Sequence, residues 1–496
     1  MRMVRAVALI AMWFAGLAAQ AHPTPPVQVT GGQIAGAHAD GINTYFGIPY
    51  AAPPVGQLRW RAPQPVTRWQ GVRQATSFSA ACAQTAVWIT GPKSEDCLYL
   101  NIWAPEQAEK LPVLVWIHGG GYYGGTGSQP GYDGANLAKR GAIVVTINYR
   151  LGIFGFFAHP ELKDDSGNQG LRDQIAALRW VKDNIAAFGG DASRVTIFGE
   201  SAGGISVGIL TASPMAKGLF QRAIAQSGNA GWPMQPGERS IYEQKAVEAT
   251  GVALAKTVGA KNLAALRAMS VESLHKQPWS ARVSVDGRVL REDQTSLYRN
   301  HHQNDVPLLV GWNAQEGADL APEILDTSDF TAARYTALAT KLLGHAPSAA
   351  LQAAYPAATD AQAKASIDQL TTDWWGWRKV YWAGLQAKHG RSKAYVYYFT
   401  QRPAEPLTPC GYGCGAGHGA EIRYVFDNLG QDSRPWSAAD RAVAARMADA
   451  WVEFARSGSL PGWPAYDGSN ASIVRIGDGP DQLPDFLLFE TGSDAH

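Results

Sequence analysis

Short apolar runs recur along the chain and alternate with stretches of helical periodicity. Residues 113–117 (VLVWI), 143–147 (IVVTI) and 194–198 (RVTIF) are continuous β-branched or aliphatic segments of strand length. An amphipathic stretch at 171–188 precedes the third of them, and a further helical pattern starts near Ser201. Strand-like runs follow at 222–225, 306–310 and 394–399, and a helical pattern over 438–456 closes the series. Runs without strict alternation are buried on both faces, and their alternation with helices predicts a mostly parallel sheet covered by helices, an α/β fold. The stretch from about 235 to 300 carries less signal and reads as helices and loops.

In an open α/β sheet, ligands bind beyond the carboxyl ends of the strands, so chemistry is sought in the segments just after them. Gly199-Glu200-Ser201-Ala202-Gly203 follows 194–198 and fits a sharp strand-to-helix turn that lifts a serine hydroxyl while small neighbours avoid clashes. With 53 glycines in 496 residues, any serine is flanked this way by chance roughly 1% of the time, so position must support the motif. A second match, Gly204-Ile205-Ser206-Val207-Gly208, falls inside the following helix, which selects Ser201; the plain alternative for Ser201 is a helix N-cap. His118-Gly119-Gly120-Gly121 directly follows 113–117, where fixed backbone N–H groups can stabilise the oxyanion of acyl transfer, joined by the N–H of Ala202.

A triad on such a turn runs Ser, acid, His along the chain, so the base is one of the histidines after Ser201. His301, His302 and His389 precede strands and belong at the far edge of the sheet, whereas His418 follows 394–399 within a glycine-rich loop. The acid must come after a strand between these two, and both Glu316 and Asp319 qualify; position alone does not separate them.

The remaining features set the context. A content of 46% hydrophobic residues supports a large core, and with no repeat or linker in sight residues 22–496 read as one catalytic domain. Arg2 and Arg5 precede an apolar run at 6–19 and a small-x-small site, Ala19-Gln20-Ala21, which predicts a signal peptide over 1–21 and a periplasmic or secreted product. That run is shorter than the ~20 residues needed for a membrane span. Losing it removes two Arg and no acid, taking the formal charge from +1 to −1, which argues against nucleic acid or anionic membranes as partners. Four cysteines allow three connectivities, and the sequence-local pairs Cys82 with Cys97 and Cys410 with Cys414 close the shortest loops. Cys410, Cys414 and His418 also recur every four residues, as metal ligands might be spaced; with no fourth ligand evident and an oxidising compartment expected, the reading here is a disulfide, no metal and no cofactor.

Together these residues resemble the type-B carboxylesterase family, which includes the cholinesterases and related lipases. Phe188-Gly189-Gly190 with 195–203 is similar to the family's serine signature, and Glu95-Asp96-Cys97-Leu98-Tyr99-Leu100-Asn101 to its cysteine-bearing one. Similar stretches extend from Tyr45-Phe46-Gly47-Ile48-Pro49 to Trp463-Pro464. The resemblance implies the α/β-hydrolase fold, a triad of Ser201, Glu316 and His418, and an oxyanion hole at Gly120, Gly121 and Ala202. It favours Glu316 over Asp319, implies a Cys82–Cys97 disulfide, gives Glu200 and Ser227 supporting roles, and points to Trp232 as an acyl-pocket residue. A small-molecule ester is the implied substrate; Trp374, Trp375 and Trp377, clustered in one helical stretch, either line a pocket with Trp232 that would suit bulky or aromatic esters or belong to the plain core. Cys410, Cys414 and a short Cys82–Cys97 loop depart from the family pattern and argue against choline specificity. An adhesion protein on the same scaffold, or an amidase with the same triad, are the alternatives.

Overall fold

The computed structural model describes residues 22–229, 242–403, 415–431, 433–479 and 482–489. The signal segment 1–21, Trp232, Cys410 and Cys414 lie outside them.

The apolar runs become the strands of one eleven-stranded sheet. In chain order these are β1 (His22–Pro23), β2 (Ala37–Ala39), β3 (Ile42–Pro49), β4 (Tyr99–Pro105), β5 (Leu111–Ile117), β6 (Ile143–Ile147), β7 (Gly190–Glu200), β8 (Arg222–Gln226), β9 (Leu308–Asn313), β10 (Ala394–Phe399) and β11 (Ile473–Ile476). Their spatial order is β1-β2-β3-β4-β6-β5-β7-β8-β9-β10-β11. The first four pair antiparallel, and every pairing from β6–β5 onward is parallel. The runs at 113–117 and 143–147 are buried on both faces, as continuous apolar composition requires. The antiparallel edge was not legible: β1 is two exposed residues, and β2 and β3 mix polar and half-exposed positions.

Five helices bear on the site: α1 (Gln169–Asn184), α2 (Ala202–Ala212), α3 (Glu316–Leu325), α4 (Asp360–His389) and α5 (Ala438–Ser457). The amphipathic 171–188 stretch splits into α1 and a 3-10 turn, Ile185–Phe188. Between 242 and 300 four short helices dominate, with one two-residue strand pair, Tyr242–Glu243 with Ser284–Val285. One boundary differs in a way that matters. The 306–310 run extends as β9 through Asn313, held in register with Phe399 of β10, so Glu316 opens helix α3 instead of standing in a loop.

No helix among the described residues is long and apolar enough to cross a membrane.

Candidate active site

Strand β7 ends at Glu200, and Ser201 turns the chain into α2 with φ 54° and ψ −122°. Such a conformation costs a non-glycine residue about 1–3 kcal/mol and persists only where the surroundings enforce it. Here the Ser201 N–H donates to the Gln226 carbonyl (3.0 Å), and the Ser201 carbonyl accepts from the Ile205 N–H (2.8 Å). The flanking glycines make the turn possible. A Cβ on Gly203 would fall 1.9 Å from the Ile117 carbonyl oxygen, and one on Gly228 2.1 Å from that of Ser201. Ser206, the second motif serine, is fully buried on α2, with its Oγ 3.1 Å from Tyr122 Oη and 3.0 Å from Gln174 Nε2.

After β5 the glycine loop bends back over this turn. Gly120, Gly121 and Tyr122 all have positive φ (98°, 58° and 62°). Gly119 lies against Ser201: a Cβ there would meet Glu200 Oε2 at 2.7 Å and Ser201 Cβ at 3.1 Å. The N–H groups of Gly120, Gly121 and Ala202 have no hydrogen-bond partner among the described residues. His118 is buried and holds the loop's base, its Nδ1 2.8 Å from the Gly119 carbonyl oxygen and its ring stacked on Tyr149. Burial outweighs that hydrogen bond and lowers its pKa to about 4, so the ring is neutral. The Cys82–Cys97 disulfide is present, and Gln84 ties its segment to the loop by hydrogen bonds to both the N–H and the carbonyl of Gly125.

His418 Nδ1 is 2.6 Å from Glu316 Oε2. The other oxygen of Glu316 accepts from the Ser227 hydroxyl (2.5 Å) and the Asn313 N–H (2.9 Å). Asp319 also touches this histidine, but at the backbone: its Oδ2 accepts from the His418 N–H (2.8 Å), pinning the loop while Glu316 holds the ring. His418 Nε2 lies 3.2 Å from Glu200 Oε1. Burial opposes charge on the imidazole, yet Glu200 and then Glu316 outweigh it and raise its pKa. Burial also pushes Glu316 upward, but His418, the Ser227 hydrogen bond and Lys379 hold it below the usual carboxylate range.

Sequence reasoning missed three members of this cluster. Glu421 is fully buried and accepts from Asn313 Nδ2 (2.5 Å) and Gln226 Nε2 (3.1 Å), while the same Asn313 amide donates to the Gly417 carbonyl (2.7 Å). Lys379, on α4, is buried within the electrostatic reach of Glu316 and Glu200. Glu421 stands three residues after His418, a position that a search for carboxylates near that histidine would have tested. Nothing local marks Asn313 or Lys379.

Ser201, the glycine loop, His418, Glu316, Glu200 and Ser227 are thus brought into one cluster. The Cys410–Cys414 pairing, the metal reading that used it, and Trp232 fall outside the described residues. Of Trp374, Trp375 and Trp377 on α4, Trp375 reaches the site, its Nε1 donating to the Ser227 carbonyl (2.9 Å), while Trp377 packs against Tyr381 and Phe489.

A family model described as the carboxylesterase family matches residues 23–488. The chain is 36% identical over 468 residues to the fumonisin B1 esterase of Sphingopyxis macrogoltabida, covering 88% of this chain and 83% of that protein. It is 35% identical over 468 residues to the para-nitrobenzyl esterase of Bacillus subtilis (strain 168), covering 88% and 91%. A solved PNB esterase superimposes with a TM-score of 0.74 at 34% identity, covering 89% of this chain and 93% of its own. The sheet and helices described above are therefore those of the α/β-hydrolase fold.

Proposed function

The chain belongs to the carboxylesterase family, whose chemistry is the hydrolysis of ester bonds, and from that premise we propose that it works through an acyl-enzyme on Ser201. His418 Nε2 takes the Ser201 proton as Oγ attacks the ester carbonyl. The N–H groups of Gly120, Gly121 and Ala202 receive the oxyanion, each such donor being worth about 2.7–4 kcal/mol. The tetrahedral intermediate collapses as His418 returns the proton to the leaving alcohol. Water, deprotonated by the same nitrogen, then attacks the acyl-enzyme and releases the acid. Glu316 keeps the Nδ1 proton in place and stabilises the imidazolium. Asp319 and Ser227 position the loop and the acid.

The observation that carries this reading is the ring of His418, held by Glu316 at 2.6 Å and reaching Glu200, the residue that precedes a serine in strained backbone geometry, together with a glycine loop whose N–H groups have no partner among the described residues. The substrate is a small-molecule carboxylic ester, and Trp232, just beyond β8, is a candidate for its acyl pocket. We further propose that residues 1–21 direct export and that 22–496 act as one catalytic domain. N-terminal sequencing of the exported protein should begin at His22.

The test of mechanism is hydrolysis of p-nitrophenyl acetate and butyrate by wild type, Ser201→Ala and Ser206→Ala. Ser201→Ala should lose about 10⁶-fold in kcat, as removal of a triad serine does, while Ser206→Ala remains an esterase. Substantial turnover by Ser201→Ala would overturn the assignment.

A further inference from the structure

Helix α4 carries a buried amine that the hydrolytic scheme leaves unused. Lys379 is fully buried and its Nζ has no hydrogen-bond partner among the described residues. Its Nζ lies over the face of Trp375, 3.6 Å from the ring centre. Burial and then Arg378 push its pKa well below that of an ordinary lysine, with Glu316 and Glu200 acting in the opposite sense. A desolvated amine whose donors meet no acceptor is costly to keep, and an aromatic face offsets only part of that.

Its position gives it a use. Trp375, on which Lys379 lies, donates to the Ser227 carbonyl. One residue before the lysine, the Arg378 carbonyl accepts from Asn229 Nδ2 (2.6 Å), and Arg378 Nη2 donates to the Asn229 carbonyl (3.2 Å). This part of α4 is therefore fastened to 227–229, the segment that leaves β8 and whose Gly228 is pressed against the Ser201 carbonyl. Asn229 Oδ1 is a second buried polar atom at the same junction without a hydrogen-bond partner among the described residues. In the tetrahedral intermediate the oxyanion faces Gly120 and Gly121, and the leaving oxygen faces His418, which must protonate it. The substituent that remains is the acyl chain, and the side left to it is that of residues 227–229.

We propose that Lys379 is a specificity determinant that receives a carboxylate at the far end of the acyl chain, so that the preferred substrates are half-esters of short dicarboxylic acids. This rests on Ser201 being the acylated residue. The anion would supply the acceptor that Lys379 lacks, and a neutral acyl chain would leave the amine unpaired in the complex.

The experiment measures pH-stat rates on methyl hydrogen glutarate and methyl pentanoate, which share a five-carbon acyl chain and differ in the terminal carboxylate, alongside methyl hydrogen succinate and adipate. Wild type should favour at least one half-ester over methyl pentanoate by about 10-fold or more in kcat/KM, and Lys379→Met should remove that preference chiefly through KM. A wild type that favours methyl pentanoate over all three half-esters, or a Lys379→Met that lowers both substrate types by the same factor, overturns the proposal; the latter marks Lys379 as a mere counter-charge. Should Lys379→Met fail to fold, product inhibition of wild type decides, with glutarate expected to inhibit more strongly than pentanoate. Turnover of methyl pentanoate that vanishes in Ser201→Ala keeps the esterase reading intact even where the half-ester preference fails.

Discussion

Replacing Glu200 by Gln should move the acid limb of the kcat/KM profile to lower pH. Glu200 Oε1 stands 3.2 Å from His418 Nε2, and both side chains are buried. At that separation a full negative charge favours the imidazolium by about 5 kcal/mol at an effective dielectric of about 20. That is equivalent to about 3.8 pH units, an upper bound. The realised shift is smaller because Glu200 is itself raised, by burial first, against the pull of His418 and reinforced by Glu421 and Glu316. The two groups consequently share one proton over part of the range, and the apparent values belong to the pair. Glutamine keeps the shape and removes the charge, and a shift of about one to two units is expected. The sign is fixed: a carboxylate stabilises the protonated ring, so its loss lowers the ring pKa and frees the base at lower pH. The assay is kcat/KM for p-nitrophenyl butyrate from about pH 5 to 9 with both proteins, since this quantity reports the free enzyme. A limb that stays within about 0.3 unit, or that moves upward, would refute the reasoning.

Other substitutions separate the roles of Glu316 and Asp319 at His418. Glu316→Gln should cost kcat about 10⁴-fold by losing the tautomer, whereas Asp319→Asn, which weakens only a backbone anchor, should cost about 10- to 100-fold, both read in the same ester assay. Gly119→Ala would drive a methyl group to 2.7 Å from Glu200 Oε2 and 2.8 Å from the Glu200 carbonyl oxygen, so kcat should fall with far-UV circular dichroism unchanged. Replacing Cys82 and Cys97 by Ala opens a loop of sequence separation 15 and should lower the unfolding free energy by about 3 kcal/mol in urea titrations. Because Gln84 couples that segment to the glycine loop, activity should decline at lower urea than the global transition. Ser206→Ala leaves Tyr122 Oη and Gln174 Nε2 short of a partner, and a stability loss of about 1–3 kcal/mol is expected with the triad intact.

Much of the site was legible because its elements are local. Ser201 and the glycine loop each follow a buried strand, and the period of the apolar runs places them at the same edge of the sheet. His418 emerged by elimination, since the competing histidines at 301, 302 and 389 stand before strands β9 and β10. Glu316 and Asp319 were inseparable by position, because both follow β9 and only the orientation of their side chains distinguishes ring from backbone.

The sequence by itself determined the alternation of strands and helices from residue 113 onward, the glycines that permit the Ser201 turn and the loop beside it, and the chain order of the residues proposed as serine, acid and base. Those are properties of neighbouring residues, set by backbone sterics and hydrophobic period. Only the tertiary structure decided which carboxylates surround His418. Glu200, Glu316 and Glu421 converge on one cluster from three places in the chain, and Asn313, Gln226 and Ser227 hold them there. Lys379 belongs to the same class: on a helix of buried tryptophans nothing in its neighbourhood marks it, and its significance arises from burial and from the strand exit that α4 packs against. Charge placement of this kind depends on distance in space, which hydrophobic pattern does not encode.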